Sequence, residues 1–260
     1  MSPLPPLLVL TDAALAASGR SPRTSAGISS PWQGRCWPRP AGVLVVASPP
    51  AEPHHVDAVL DDLPVAAVKT GMLATAEIVD AVAALAAAGR LPNLVVDPVM
   101  VSSTRPPPRP ARRSGVPGTA PAPRPGGDRE SAQVQVLLGR LLVTPDDVRR
   151  AAGELSATGC ETVVITGGDP TADRAEEAAD VWFDGELHDL VGRRVSTANN
   201  HGTGCSFASA VAARLADGDD VAAALAAAKE YVARALAGGR RWRPGAGHGP
   251  IDHFAWEDPR

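Results

Sequence analysis

A polar, glycine-bearing loop that runs straight into a helical segment carries the strongest chemical signal in this sequence. Asn199-Asn200-His201-Gly202-Thr203-Gly204-Cys205 is followed by an alanine-rich stretch containing Phe207, Val211 and Leu215, and then by Gly218. The spacing of those three residues puts them on one helical face and predicts a helix that stops at Gly218. The first amides of a helix have no intrahelical partner and lie at the positive end of its dipole. Small residues at Gly202 and Gly204 let an anion approach them, and Thr203 adds a hydroxyl donor, so the loop has the chemistry of a phosphate cradle. A tight lead-in turn is the competing reading, for which Gly-x-Gly serves equally well. No Gly-Lys-Ser/Thr follows, which excludes a P-loop, and the third glycine of a dinucleotide fingerprint is missing.

Three further segments close apolar runs with residues able to meet a ligand. Lys69-Thr70-Gly71-Met72 follows Val65, Asp97-Pro98-Val99-Met100 follows Leu94, and Thr166-Gly167-Gly168 follows Thr162-Val163-Val164-Ile165. In open parallel sheets, ligands bind beyond the carboxyl ends of the strands. An anion cradle and a carboxylate brought together there point to phosphoryl transfer. Asp97 is a candidate Mg2+ ligand, directly or through water, and a turn-capping carboxylate is the alternative.

The elements that must position these loops read as alternating strands and helices. Short apolar runs at Leu7–Leu10, Val43–Val46, Val65–Lys69, Leu94–Asp97 and Thr162–Thr166 are strand candidates. Amphipathic stretches from Val56, over 76–88, from Pro145 to about Thr158 and from Val221 read as helices, with Pro145-Asp146-Asp147 and Asp219/Asp220 as caps. Residues 180–191 read as a hairpin, and the tail to Phe254 as a surface loop. Two all-apolar strands flanking a helix make a βαβ unit, hence an α/β fold with a mostly parallel sheet. Residues 1–54 and 104–132, rich in Pro, Arg, Ser and Gly, are irregular by composition.

Bulk properties narrow the function. The 260 residues suit one large domain over 1–260, and a formal charge of −4 argues against a nucleic-acid partner. Three cysteines, Cys36, Cys160 and Cys205, form neither a disulfide framework nor a zinc pattern, which suits a reducing cytoplasm. No apolar run reaches the length of a membrane span.

Val68-Lys69-Thr70-Gly71-Met72-Leu73, Val95-Val96-Asp97-Pro98-Val99-Met100, Asn200-His201-Gly202-Thr203-Gly204-Cys205 and Gly247-His248-Gly249-Pro250 occur in this order. Together they resemble the hydroxymethylpyrimidine/phosphomethylpyrimidine kinases of thiamine biosynthesis, within the ribokinase-like superfamily. The resemblance covers about 55–103 and 133–256. It implies a three-layer αβα domain, ATP with Mg2+, a pyrimidine alcohol and its monophosphate as acceptors, and dimers in many relatives. By position, the amides of Gly202, Thr203 and Gly204 resemble the family's anion hole. Cys205 stands where the family has its catalytic cysteine, with a thiol pKa expected to be lowered by the helix N-terminus. Met72 and Val99 resemble pyrimidine-pocket residues, and Thr166-Gly167-Gly168 the nucleotide-side turn. His201 reads as loop scaffold and His248 as the end of a surface turn.

Two family features are missing. Residues 1–54 lack the Gly-Ser-Asp loop and the Thr-Ala-Gln-Asn segment. After Val143-Thr144-Pro145, the family's two glutamates fall on Arg149 and Ala151, leaving Asp146 or Asp147 as substitutes. A non-catalytic remnant or small-molecule-binding protein of the same fold, and a pyridoxal kinase-like activity, are the competing readings.

Overall fold

The computed structural model describes residues 7–10, 42–46, 53–71, 73, 76–98, 132–140, 142, 144–167, 176–243, 245 and 249–254. Along the chain come β1 (Leu7–Leu10), β2 (Gly42–Val46), α1 (Pro53–Asp62), β3 (Val65–Thr70), α2 (Ala76–Ala87), β4 (Leu94–Val96) and α3 (Ala132–Leu138). There follow α4 (Pro145–Ser156), β5 (Thr162–Ile165), β6 (Glu177–Phe183), β7 (Leu187–Arg193), α5 (Thr203–Asp217) and α6 (Val221–Gly239).

All seven strands form one sheet in the order β2-β3-β4-β1-β5-β6-β7. The first five in that order pair in parallel, and the β6–β7 hairpin extends the sheet antiparallel from β5. The two strand candidates in the compositionally irregular stretch 1–54 are both members of this sheet, with β1 at its centre between β4 and β5. Apolar β-forming residues there outweigh the surrounding proline and arginine. The irregular stretch 104–132 lies outside the described residues except for Ala132, which begins α3.

Side chains alternate across the sheet, and both faces are covered. Ala67, Val95 and Val164 pack under α5 and α6 with Phe207, Val211, Leu215, Leu225 and Ala228. On the opposite face Val68 and Leu94 pack with Val56 and Leu91, while Val163 and Ile165 pack with Val134, Ala151 and Leu155. Burial on two faces is why these strands read as unbroken apolar runs. The result is the expected three-layer αβα arrangement.

Several boundaries differ from expectation for local reasons. Thr144, ahead of Pro145, is the N-cap of α4: its hydroxyl accepts from the Asp147 amide while the Asp147 carboxylate accepts from the Thr144 amide. Asp220 alone caps α6, through the Ala223 amide. Residues 249–252 are not a surface loop, because Ile251 is 1% exposed and the Asp252 amide donates to the Ala235 carbonyl.

Leu225 lies fully buried in the layer where α5 and α6 meet the sheet. Leu225→Ala is expected to lower the unfolding free energy by about 2–5 kcal/mol, read from urea denaturation. A loss below about 1 kcal/mol would contradict this packing.

Candidate active site

The loop before α5 is fixed from behind by Asn199, which is buried. Its amide nitrogen donates to the carbonyls of Gly239 (2.8 Å) and Trp242 (2.9 Å), at the far end of α6. Its carbonyl oxygen accepts from the Gly249 amide at 3.0 Å. His201 continues the tie: its amide donates to the Gly249 carbonyl, and its carbonyl accepts from the Ile251 amide. This parallel bridge to residues 249–251 gives His201 the scaffold role expected of it. His248 lies outside the described residues.

From that anchored base the chain turns into α5 through Gly202, whose φ of +89° disfavours any residue with a Cβ. No side chain caps α5. The Thr203 amide, expected to face an anion, donates to the Asn200 carbonyl at 3.4 Å, while the Gly204 and Cys205 amides keep the places that a capping hydroxyl or carboxylate would take. The Thr203 hydroxyl donates instead to the Asn200 carbonyl at 3.1 Å, so it stiffens the loop and is not the additional anion donor expected from the sequence. The geometry suits an incoming anion: a positive-φ glycine, an uncapped helix start, and small residues at both ends of the turn.

Beneath this turn the sheet delivers charge. Lys69 and Asp97 continue the parity of Ala67 and Val95, which places both on the α5 face. Lys69 Nζ lies 2.9 Å from Asp97 Oδ2, with side chains 4% and 0% exposed. The Asp97 amide donates to Thr70 Oγ1 at 3.1 Å, tying the end of β4 to the end of β3. The Cys205 thiol bonds to the Asp97 carboxylate and feels the Lys69 charge.

This environment reverses the expected direction for the thiol. Burial pushes the Cys205 pKa up to about 11, the Lys69 charge opposes the rise, and the Asp97 charge and hydrogen bond add to it. Helix-terminal stabilisation of a thiolate is outweighed by desolvation and by a carboxylate in contact. Cys205 is therefore a neutral thiol around pH 7.

Asp97 differs from expectation too. Fully buried and paired with an ammonium, it lacks the exposed oxygens that a magnesium ion with its retained waters takes. Of the two acidic substitutes in α4, Asp146 is exposed and Asp147 is already engaged. One Asp147 oxygen serves the Thr144 cap and the other meets Arg150. Arg149 pairs with Asp189 on β7, and Ala151 is core. Among the described residues no group of three or more His, Cys, Asp or Glu is placed to share a metal.

Thr166 and Gly167 follow β5 as expected, and the Gly167 amide donates to Asp180 Oδ1 on β6 at 3.1 Å. Met72, Val99 and Gly168 lie outside the described residues. Sequence reasoning placed Lys69 and Asn199 in ligand-facing segments without giving either a role of its own, and passed over Asp180. For Lys69 the available signal was a charged side chain at the end of an apolar run, where strand parity turns it inward. No helix among the described residues is long and apolar enough to cross a membrane.

Known proteins share this arrangement. The thiamine biosynthesis bifunctional protein ThiED of Geobacter sulfurreducens is 37% identical over 232 residues, a match spanning 79% of this chain and 42% of that protein. The hydroxymethylpyrimidine/phosphomethylpyrimidine kinase of Rhizobium meliloti is 35% identical over 229 residues, spanning 84% of this chain and 83% of that one. Among solved structures, an ADP complex of Bacillus subtilis pyridoxal kinase superposes with a TM-score of 0.60 at 30% identity, covering 78% of this chain and 75% of that chain. Residues 49–107 and 130–252 match the family described as phosphomethylpyrimidine kinase. Matched over most of its length, the chain belongs to the phosphomethylpyrimidine kinase family.

Proposed function

We propose that this protein transfers the terminal phosphoryl group of ATP to the hydroxyl of 4-amino-5-hydroxymethyl-2-methylpyrimidine, and then to the resulting monophosphate, in thiamine biosynthesis. The observation that carries this reading is the uncapped start of α5 standing over the Lys69–Asp97 pair in a chain of this family. The ADP bound to the Bacillus subtilis relative supports ATP as donor.

In this reading the amides around Gly202, Thr203 and Gly204 offset charge developing on the transferred group, which in a loose transition state spreads over its outer oxygens. The acceptor oxygen forms a bond to the terminal phosphorus while the bond to the bridging oxygen breaks, releasing ADP. Such a transition state asks little of a base, because the hydroxyl proton departs late. Cys205 is suited to that task as a neutral relay: its sulfur takes the hydroxyl proton while its own proton moves to Asp97. Lys69 holds Asp97 in contact with the thiol. Mg2+ accompanying the nucleotide would neutralise phosphate charge, but the Asp97 carboxylate does not fit it and no step is assigned through it. The pockets for the acceptor and nucleotide are assigned, by resemblance, to Met72 and Val99 and to Thr166, Gly167 and Gly168.

The similarity to a pyridoxal kinase favours one second reading, phosphorylation of pyridoxal. Coupled ADP-release assays with each acceptor, beside calorimetric ATP binding, separate these readings. Turnover with the pyrimidine alcohol is expected to exceed that with pyridoxal; the reverse preference selects the second reading. ATP binding without turnover on either makes the chain a non-catalytic remnant.

Cys205→Ala is expected to reduce kcat at least about a hundredfold with ATP affinity little changed. Unchanged turnover removes Cys205 from the mechanism. The thiol's protonation is checked separately by following iodoacetamide labelling of Cys205 against pH with peptide mapping. Because the thiolate is the nucleophile, the rate should keep rising toward pH 11 in the folded protein. A profile that levels off near pH 9, as for an ordinary thiol, would show the site does not raise this pKa.

A further inference from the structure

We infer that Asp180, Lys229 and Gly192 form one positioning device that sets the shape of the Gly167 turn for the nucleotide. The inference rests on the kinase reading, which puts the nucleotide at that turn. Asp180 sits in β6 with its side chain 6% exposed, and its two carboxylate oxygens serve different parts of the fold. Oδ1 accepts from the Gly167 amide at 3.1 Å, just beyond the end of β5. Oδ2 lies 2.6 Å from Nζ of Lys229, which comes from the middle of α6.

Lys229 reaches this carboxylate across β7, and Gly192 makes the crossing possible. A Cβ placed on Gly192 would lie 2.9 Å from Lys229 Cε and 3.1 Å from Cγ, so the lysine stem rests on bare backbone. The hairpin register supplies the alignment, pairing Ala178 with Gly192 and Asp180 with Leu190 on neighbouring strands. Residues directly opposite one another share a face, which here is the face α6 covers. α6 and the end of β5 thus meet on one carboxylate of β6, whose Oδ1 holds a turn in which Gly167 has a φ of +128°.

The plainer alternative is an ion pair that only fastens α6 to the hairpin. That role would leave Oδ1 without a task, whereas here it fixes the one turn that the kinase reading gives to the nucleotide. A carboxylate held from the other side by Lys229 cannot swing away from the Gly167 amide. Lys229 acts on the turn through Asp180 and is not itself assigned to touch the nucleotide.

The test compares wild type with Asp180→Asn, Lys229→Met, the double variant and Gly192→Ala, using calorimetry with ATP and steady-state kinetics. Asp180→Asn and Lys229→Met should each weaken ATP binding and raise the KM for ATP about tenfold, with acceptor KM and kcat within about threefold of wild type. The double variant should be no worse than either single change, since both act through one turn. Gly192→Ala, the mildest change, should weaken ATP about threefold and decides the matter if the charge variants do not fold. ATP affinity equal to wild type in folded variants overturns the device and leaves the kinase reading intact. Tighter or unchanged binding in Asp180→Asn, with weaker binding in Lys229→Met, would mean that Lys229 meets the nucleotide directly and also overturns it. If wild type binds no ATP, both readings fall.

Discussion

A helix N-terminus can greet an anion only if nothing else takes its donors, yet the loop that delivers it must still be rigid. In this fold Asn199 resolves that conflict. Its side chain uses both donor positions and its acceptor on backbone groups of the α6 end and the tail, all behind the loop. Thr203 likewise turns its hydroxyl back onto Asn200. The stiffening bonds take the Thr203 amide, which donates to the Asn200 carbonyl at 3.4 Å, but not the Gly204 amide that follows it. A capping serine at position 202 would have done the opposite, satisfying the amides and closing the cradle.

The floor of the site follows from sheet parity. Because β3 and β4 lie side by side and in parallel with Lys69 opposite Val95, the next inward residue along the second strand, Asp97, lies diagonal to Lys69 on the same face. In most of the core those positions hold alanine and valine. At the carboxyl ends they hold Lys69 and Asp97, and the buried pair neutralises itself where α5 arrives. Burial and the adjacent carboxylate then keep the Cys205 thiol protonated, against the pull of Lys69. A thiolate here would add negative charge beneath an approaching polyphosphate. A neutral thiol avoids that repulsion while still offering a path for a proton.

Much of this was legible before any coordinates. The helix from Thr203 to Asp217 and the three buried strands could be read because period and length are properties of the local chain. Leu7–Leu10 and Gly42–Val46 were legible too, as short apolar runs, although their surroundings argued against order. What could not be read was which polar groups meet across the fold. The direction of the Cys205 shift depends on Asp97, far away in sequence, and a helix-dipole argument that knows only the local chain gives the wrong sign. Thr144 was missed as a cap because the acidic residues after Pro145 drew attention, though a capping box needs the hydroxyl first. Asn199 looked like one more loop residue, since its partners lie 40 to 50 positions further on.

Both buried lysine–aspartate pairs among the described residues act at strand ends: Lys69–Asp97 where β3 and β4 close, and Asp180, itself within β6, on the amide just past β5. Replacing a buried ion pair by apolar residues of similar size is often neutral or stabilising, so their value does not lie in stability. Apolar side chains at the same positions would fill the space but would not choose a direction. A carboxylate with one oxygen committed to an ammonium has its other contacts fixed in orientation. At Asp97 that direction serves a thiol, and at Asp180 a turn amide. The core is built from interchangeable alanines and valines, while these pairs fix the geometry at the ends of the strands. A kinase of this design can therefore vary much of its packing, but exchanging either aspartate for an apolar residue removes a direction that no hydrophobic contact restores.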